Sequence, residues 1–313
     1  MKDDLFPKVP DYHKPNKPLV PNGLGVIYVL ISAVYLFLVY LSDVVKVSNG
    51  VSPPLTLAVC ILFGGFLGLL DDWVDLKWRY KVFLPLIAAI PLISLAWRLG
   101  LRTSIALPII GTIYFGNYYY FIIIPILVTI ITNTVNQLGG LNGLETICPA
   151  IIMIGLMAIS GPYAILLACP LIVWLILAFL NFRGRIFVGN TGSFSIGITL
   201  AAFAIISDLK FDLVISILPY VFNSALILLT FFFYRAKANA TFDGKRLVSD
   251  HRRSLITLIT YHRPLTERQV VFLISLLVAI STLAGLLVQE PSLLKKPASP
   301  RSPSHRKNEI SHF

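Results

Sequence analysis

The sequence predicts an all-α, polytopic integral membrane protein with about nine to ten transmembrane helices. The first observation behind this prediction is composition, because 56% of the 313 residues are apolar and only 13% are charged. The second is a mean hydropathy of +0.80, which lies above the range of soluble globular domains. The third is that the apolar residues form long runs separated by polar motifs. A water-soluble fold is therefore excluded.

Nine apolar runs are the predicted membrane spans. A helix needs about 17 to 25 residues to cross a bilayer, because lipid cannot satisfy free backbone groups. The stretch 103–118 is apolar but contains Pro108 and two glycines, so we expect an irregular connection there rather than a tenth helix. The nine runs lie near residues 24–41, 54–70, 82–97, 119–135, 147–160, 163–180, 194–206, 213–234 and 269–288.

Polar segments flank this predicted transmembrane domain, residues 24–288. Residues 1–23 lack the apolar centre of a cleavable signal, so we expect an N-terminal loop and a retained first span. Residues 289–313 are rich in Ser, Pro and Lys, which predicts a disordered tail. The three cysteines lie in apolar runs without metal-ligand spacing, so neither a disulfide framework nor a zinc site is indicated.

The distribution of positive charge predicts the orientation in the membrane. Net charge is +11, and 17 Lys and Arg residues lie in the N-terminal segment and in every second loop after it. The opposite loops carry four, and the tail adds five on their side. By the positive-inside rule, the N-terminal segment and every second loop after it are predicted to be cytoplasmic, and these include the long loop 235–268. We expect the bilayer, and not a nucleic acid, to be the partner of these charges.

The first of four polar motifs on the predicted cytoplasmic side is GLLDDWVDLKWRYK. It places Asp71 and Asp72 directly after an apolar run, with Lys81 behind them. Adjacent carboxylates repel each other, and a divalent cation such as Mg²⁺, a shared proton or a nearby Lys relieves the repulsion. A solvated cluster that only ends the helix is an equally good interpretation.

The second motif, NTVNQLGGLNGLE, combines amides with glycines. Asn133 and Asn136 are one turn apart on the same helix face, and glycines surround Asn142. Amide oxygens bind Mg²⁺ and amide groups read nucleobase edges, while glycines admit phosphate or sugar close to the backbone. The alternative is an amide-capped helix end followed by a glycine turn.

The third motif, RGRIFVGNTGSFSIG, is a glycine-rich turn that leads into an apolar helix and contains Asn190. Such a turn binds anions at the helix N-terminus, although the Gly-Lys-Ser/Thr ending of a P-loop is missing. An ordinary helix cap is the alternative.

The fourth motif is the basic loop 235–268, which begins with Arg235 and Lys237. A loop of this charge could cover a site and bind an anionic substrate. It could also do no more than set topology and attract acidic lipids.

In this order, the motifs resemble the polyprenyl-phosphate N-acetylhexosamine-1-phosphate transferases, a family of integral membrane enzymes. The likeness runs from about Asp11 to Val288, and DYHKPNKPLVPNGLG looks like the family's first cytoplasmic loop. The later motifs look like its Asp-Asp, Asn-rich and Phe-x-Gly-Asp elements. GLNGLE and RSLITLITYHRPLTERQ are similar to the eukaryotic and archaeal branch, the UDP-GlcNAc:dolichyl-phosphate GlcNAc-1-phosphate transferases that begin N-linked glycan assembly.

The resemblance implies a role for individual residues. Asp71, Asp72 and Lys81 would be catalytic, with the carboxylates near the reacting phosphates and the Lys on a phosphate. Mg²⁺ would be the cofactor, with Mn²⁺ as a substitute. The remaining implied residues are the metal ligands Asn136 and Asn190, the uracil-binding Asn142 and Phe187, the substrate-binding Gly140 and Glu145, and the diphosphate-binding Arg235 and Lys237.

Two departures from the family pattern stand out. Asn190 occupies the position where the family usually has a metal-binding Asp, and a neutral amide binds Mg²⁺ less strongly than a carboxylate. We also expect the chain to begin after the family's usual first helix, which would leave about nine spans where the family has ten.

The implied reaction is attack by a lipid phosphate oxygen on the β-phosphorus of UDP-GlcNAc, giving polyprenyl-diphosphate-GlcNAc and UMP. We favour direct attack over a covalent Asp intermediate. The expected partners are UDP-GlcNAc, a polyprenyl or dolichyl-type phosphate and the bilayer, with a homodimer as a further expectation. The expected location is the plasma membrane of an archaeon or the endoplasmic reticulum of a eukaryote, with the active site facing the cytoplasm.

The sequence leaves two alternatives to this enzyme. A membrane transporter would place polar residues at mid-membrane depth and along inverted repeats, whereas the motifs here lie at predicted helix ends. A non-catalytic relative that binds nucleotide sugar or lipid without turnover is the other alternative, and Asn190 is the residue that motivates it.

Overall fold

The computed structural model describes residues 5–107, 111–234 and 240–288, which are mostly helical. Short hairpins pair strands β1 with β2, β3 with β4, and β5 with β6, all antiparallel. The strands are β1 (Lys8–Pro10), β2 (Leu19–Pro21), β3 (Ser104–Leu107), β4 (Gly111–Tyr114), β5 (Thr241–Phe242) and β6 (Leu247–Val248). The α-helices are α1 (Gly25–Leu41), α2 (Pro53–Val74), α3 (Trp78–Ala88), α4 (Ile90–Leu99), α5 (Ile124–Gln137), α6 (Leu144–Ile159), α7 (Ile165–Phe182), α8 (Gly189–Ile206), α9 (Lys210–Ser216), α10 (Leu218–Leu229), α11 (Leu255–Ile259) and α12 (Glu267–Leu287).

Long apolar helices confirm the predicted all-α membrane protein. Within the described residues, six helical stretches are long and apolar enough to cross a bilayer, and the bent pair α9–α10, with an angle of 54°, would make a seventh if it is one span. The helices α1 and α6 are apolar but shorter, with 17 and 16 residues. The six stretches are Pro53–Val74, Trp78–Leu99, Tyr119–Gln137, Gly161–Phe182, Gly189–Ile206 and Glu267–Leu287. Every predicted apolar run is thus helical over most of its length.

Three segments differ from the prediction or lie beyond it. The run 82–97 divides into α3 and α4 at Ala89, where Pro91 in the first turn of α4 begins a new helix without needing an N–H partner. The segment 103–118 forms no tenth helix in its described residues, as predicted, but it is more regular than expected, because Ser104 pairs with Tyr114 and Leu107 with Gly111 in the β3–β4 hairpin. The tail 289–313 lies outside the described residues.

Helix α8 lies at the centre of the bundle and packs against α1, α2 and α5. Its residues from Thr191 to Ile206 are all buried. The neighbouring helices approach its first turn very closely: a Cβ on Gly68 of α2 would lie 2.2 Å from the Asn190 carbonyl oxygen, and one on Gly25 of α1 would lie 2.2 Å from the Gly192 nitrogen. Only glycine fits at these two positions, and the contact brings the polar end of α2 onto the N-terminus of α8.

Candidate active site

Two neighbouring cavities lie where the polar motifs meet at one end of the bundle. The smaller has a volume of about 460 Å³, and the larger, of about 560 Å³, shares four of its lining residues. The smaller cavity is lined by Val9, Pro10, Asp11, Tyr12, His13, Asn22, Asp72, Asn136, Gln137, Gly139, Gly140, Glu145, Phe187, Gly189, Asn190 and Ser193. The first three motifs and the N-terminal loop, although far apart in sequence, therefore form one site.

Asp72 is held by the N-terminus of α8. Its Oδ1 accepts the backbone N–H of Asn190 at 2.9 Å, and its Oδ2 accepts the N–H and the hydroxyl of Thr191 at 2.9 and 2.7 Å. Free N–H groups and the helix dipole make a helix N-terminus favourable for negative charge. The carboxylate is thereby fixed at the wall of the smaller cavity.

Asp71 has a different environment, although it is the next residue. It is 2% exposed, its Oδ1 accepts the Leu76 backbone N–H at 2.9 Å, and its Oδ2 lies 2.9 Å from the Lys81 Nζ. Neither Asp71 nor Lys81 is among the residues that line the cavity. This pair connects the end of α2 to α3, and Lys81 keeps about a quarter of its side chain exposed.

The amides of the second and third motifs meet across the smaller cavity. Asn136, near the end of α5, accepts the Ser193 hydroxyl on Oδ1 at 2.7 Å, and Asn190 lines the cavity from the α8 side. The Gln137 Oε1 next to them is buried without a hydrogen-bond partner in the described residues. Asn133, in contrast, bonds back to the Thr129 carbonyl at 2.9 Å and is not a lining residue.

Glu145, in the first turn of α6, is the second carboxylate in the wall of the smaller cavity. Burial raises its pKa to about 7, a backbone hydrogen bond from Val188 opposes that rise, and the neighbouring Asp72 charge adds to it. The Asn181 Nδ2 donates to the Glu145 Oε1 at 3.5 Å, and the Asn181 Oδ1 accepts the Gly143 N–H at 2.8 Å. Asn181 therefore connects α7 to the glycine turn.

The other predicted substrate-binding residues have varied positions. Phe187 is half-buried and lines the smaller cavity, and Gly140 lines both cavities with a left-handed φ of +92°. Asn142 is 4% exposed and lies behind the cavity wall, where its Nδ2 donates to the Asp11 Oδ2 at 2.7 Å. Arg235 and Lys237 lie outside the described residues.

The described part of the basic loop closes the larger cavity. Ala240, Phe242, Leu247 and Ile256 form its wall opposite the N-terminal loop and the glycine turn. The tip of the β5–β6 hairpin bears Asp243, whose pKa is lowered by the backbone N–H groups of Lys245 and Arg246. The loop contacts the cavity mainly through apolar side chains.

The oxygen atoms that line the smaller cavity are suitable ligands for a hard divalent cation that is also bound by a substrate phosphate. The described residues contain no cluster of three or more His, Cys, Asp or Glu side chains that could hold a metal by themselves. Mg²⁺, however, is commonly bound by one or two carboxylates together with substrate phosphates. Asp72, Asn136, Asn190 and Glu145 offer oxygen atoms of this kind within one cavity, and His13 is the one nitrogen or sulfur side-chain ligand of a transition metal among its lining residues.

Several site residues were missed at the level of sequence. Asp11 and Asn22 lie in a loop without periodicity, and Asn181 falls within an apolar run, where a single amide resembles an ordinary helix residue. The sequence offered one signal for Asn181, because an amide within a long apolar run needs partners for its polar atoms. The structure buries this side chain fully.

Comparison with known proteins gives consistent matches. Residues 54–208 match the model of glycosyl transferase family 4. A protein of Saccharolobus solfataricus is 32% identical over 294 residues, which cover 91% of this chain and 88% of the relative. A protein of Sulfolobus acidocaldarius is 32% identical over 228 residues, which cover 69% of this chain and 67% of the relative. Both carry the name UDP-N-acetylglucosamine–dolichyl-phosphate N-acetylglucosaminephosphotransferase as a provisional assignment.

A eukaryotic relative carries the same name without that qualification. The protein of Saccharomyces cerevisiae is 25% identical over 274 residues, which cover 71% of this chain and 60% of the relative. These relatives agree with the resemblance to the archaeal and eukaryotic branch that the motifs indicated.

Proposed function

The chain belongs to the polyprenyl-phosphate N-acetylhexosamine-1-phosphate transferases of glycosyl transferase family 4, and we propose that it uses UDP-GlcNAc and a dolichyl-type phosphate. A lipid phosphate oxygen bonds to the β-phosphorus of UDP-GlcNAc, and the bond from that phosphorus to the bridging oxygen breaks. The products are polyprenyl-diphosphate-GlcNAc and UMP, and the reaction is a first step of lipid-linked glycan assembly for protein N-glycosylation.

The observation that best supports this proposal is the position of Asp72. The end of one apolar helix presents a carboxylate to the N-terminus of another, within a cavity that amides and glycines also line. A lipid-borne phosphate and a water-soluble nucleotide sugar can meet only at a membrane boundary. A polar cavity at the ends of apolar helices provides such a place.

We assign the phosphate chemistry to the residues around Asp72. Asp72, Asn136 and Asn190 would hold Mg²⁺, or Mn²⁺ in its place, and the cation would offset the charge of the diphosphate. Lys81 would contact a phosphate, and Asp71, at 2.9 Å from its Nζ, would keep the ammonium group at the end of α2. The protein acts mainly by positioning and electrostatics, as is general for phosphoryl transfer.

The nucleotide would bind in the smaller cavity, against the wall formed by the glycine turn and the third motif. The aromatic ring of Phe187 and the open backbone at Gly140 suit a planar base, and Asn142 lies directly behind this wall. Glu145 would face the sugar phosphate, and Arg235 and Lys237 would meet the diphosphate from the loop. The larger cavity adjoins this wall and offers space for the remainder of the substrate.

The protein is an integral membrane protein, and we place its active site on the cytoplasmic side. The basis for the placement is charge, because the loops around the cavity carry most of the Lys and Arg residues. A homodimer is a further proposal, which the molecular mass of the detergent-solubilised protein would test.

The test of this function is an assay of both products by purified protein in detergent micelles. UMP and glycosylated lipid should form in equal amounts from UDP-GlcNAc, dolichyl phosphate and Mg²⁺, and removal of the metal with EDTA should stop both. UDP-glucose, which lacks the acetamido group, is the matched donor control and should react slowly. Folded protein that forms neither product, or that releases UMP without lipid phosphate, would contradict the proposal.

A further inference from the structure

Asn223 is a buried polar residue in a largely apolar helix. It lies in α10, which with α9 forms the bent pair that is long and apolar enough for a membrane span, and its exposed fraction is 1%. It lines neither cavity. A polar side chain among apolar groups needs hydrogen-bond partners, because its burial is unfavourable without them. The partners of Asn223 therefore indicate what it does.

The Asn223 amide joins the ends of two other helices. Its Oδ1 accepts the backbone N–H of Leu255, the first residue of α11, at 2.9 Å. Its Nδ2 donates to the carbonyl oxygen of Gln137, the last residue of α5, at 3.5 Å. A helix cannot pair its first N–H groups or its last carbonyl groups internally. One side chain thus supplies a partner to a group at each helix end that the helix itself cannot pair.

The chemistry of these two groups requires an amide at position 223. A backbone N–H can only donate and a carbonyl oxygen can only accept, so the orientation of the Asn223 amide follows from its partners. A carboxylate at this position would offer two accepting oxygens, and a leucine side chain of similar size would offer neither end. The neighbouring Ser224 is a contrast, because its buried hydroxyl has no hydrogen-bond partner in the part of the chain that the structure describes.

Both helix ends bear residues of the candidate site. Asn136 and Gln137 at the end of α5 line the smaller cavity, and Ile256, next to Leu255 in α11, lines the larger one. The β5–β6 pairing and the capping box at the start of α11 are contacts within the basic loop. The Asn223 bond to Leu255 instead attaches this loop to a helix of the bundle.

We propose that Asn223 is a positioning residue, which holds the wall that the basic loop gives to the larger cavity in a fixed place relative to α5. It thereby sets the affinity for the nucleotide sugar. This role rests on the proposed function, because UDP-GlcNAc is taken to extend into the larger cavity. Asn223 does not contact the substrate. It acts through α11 and through the end of α5.

Loss of the Asn223 bridge should affect one substrate more than the other. The described part of the basic loop lines the larger cavity and contributes no lining residue to the smaller one, so a displaced loop weakens binding in the larger cavity. The groups assigned to the phosphate chemistry keep contacts that do not involve Asn223, since Asp72 is bonded to α8 and Asn136 to Ser193. The KM for UDP-GlcNAc should therefore rise, while kcat and the KM for dolichyl phosphate change much less.

The experiment makes two measurements on the purified full chain in detergent micelles. Hydrogen exchange followed by mass spectrometry, without substrate, reports the protection of residues 254–260, and steady-state rates of UMP release report KM and kcat. Asn223→Leu should exchange faster in this segment and should raise the KM for UDP-GlcNAc by about tenfold. Ser224→Ala is the matched control, since it removes a buried hydroxyl from the same helix without breaking the bridge, and it should leave both measurements at their wild-type values.

Asn223→Asp provides a second variant if Asn223→Leu does not fold. It keeps an acceptor for the Leu255 N–H but sets an oxygen against the Gln137 carbonyl, so exchange in residues 254–260 should stay slow while the KM for UDP-GlcNAc rises. Folded Asn223 variants that keep the wild-type KM for UDP-GlcNAc, whatever their kcat or exchange rate, would overturn this role and leave the transferase proposal intact. A folded wild type that releases no UMP from UDP-GlcNAc would overturn the proposed function and this role together.

Discussion

Asp71 and Asp72 are adjacent in the chain, yet they differ in what surrounds them. Asp71 pairs with Lys81 below the surface, whereas Asp72 accepts three hydrogen bonds from Asn190 and Thr191 at the cavity. The sequence predicted that both carboxylates belong to the site. It could not separate their environments, because the difference depends on α3 and α8, which approach from distant parts of the chain.

The contribution of the Asp71–Lys81 pair to stability should be separable from its contribution to catalysis. Lys81→Met leaves a buried carboxylate without its cation and should lower the free energy of unfolding by about 1–3 kcal/mol. The double variant Asp71→Asn/Lys81→Met removes the stranded charge and should regain most of that stability without regaining transfer activity. Thermal unfolding and UMP release would measure the two effects. A double variant as active as the wild type would show that Lys81 only stabilises the fold.

Asn190 should limit the affinity for the cation. Asn190→Asp adds a carboxylate to the wall that already holds Asp72 and Glu145, and should tighten Mn²⁺ binding by about tenfold. Electron paramagnetic resonance of free Mn²⁺ would measure the dissociation constant without relying on activity. Asn16→Asp adds the same charge on an exposed loop and is the control. Equal affinities for all three proteins would contradict a cation site at Asn190.

At the scale of elements, apolar length predicted the helices but not the hairpins. Each predicted run became helical over most of its length, although the runs 82–97 and 213–234 are each divided between two helices, because burial of about 20 apolar residues in a bilayer outweighs local preferences. The strands have two to four residues, and pairs this short are stable only where the rest of the fold covers them. Nothing in the local pattern of such short segments distinguishes them from loops.

The close contact between α2 and α8 should be essential for the site. Gly68→Ala places a methyl group 2.2 Å from the Asn190 carbonyl oxygen, so the two helices must separate and Asp72 must leave its N–H partners. We expect a loss of roughly 1–3 kcal/mol in stability and most of the transfer activity. The measurements are thermal unfolding and the initial rate of UMP release.

Gly65→Ala is the matched control on the same helix. Its methyl group would lie 2.7 Å from the side chain of Val29, which can move more easily than a backbone. We therefore expect a smaller loss of activity than in Gly68→Ala. If Gly68→Ala folds and retains full activity, the docking of Asp72 on α8 is not required for transfer.

At the scale of the whole molecule, the charge distribution predicts orientation and the motifs predict the location of the site. The sequence indicated that four polar loops meet on one side, and the structure brings three of them and the described part of the fourth around adjoining cavities. The sequence did not reveal that the N-terminal loop forms a wall of both cavities. That loop is held by side-chain contacts to Asn142 and Glu267, which no periodicity can encode.

The orientation can be tested with single introduced cysteines. Leu5→Cys marks the N-terminal loop, and Ser48→Cys marks the exposed loop between α1 and α2. A membrane-impermeant maleimide should label Ser48→Cys in intact cells and Leu5→Cys only after permeabilisation. The parent protein is the control for its three native cysteines, which lie within apolar helices. The opposite labelling pattern would contradict a cytoplasmic active site.

The most direct measurement of the central claim is the rate of UMP release by Asp72→Asn compared with that of Asp75→Asn. Both variants remove one charge near the end of α2, but Asp72 lies in the cavity wall and Asp75 is fully exposed. With UDP-GlcNAc, dolichyl phosphate and Mg²⁺, Asp72→Asn should be slower than the wild type by about 10²-fold or more, a typical cost of removing one electrostatic contact to the transition state. Asp75→Asn should stay near the wild-type rate. Folded Asp72→Asn protein with the wild-type rate would contradict the assignment of this cavity as the transferase site.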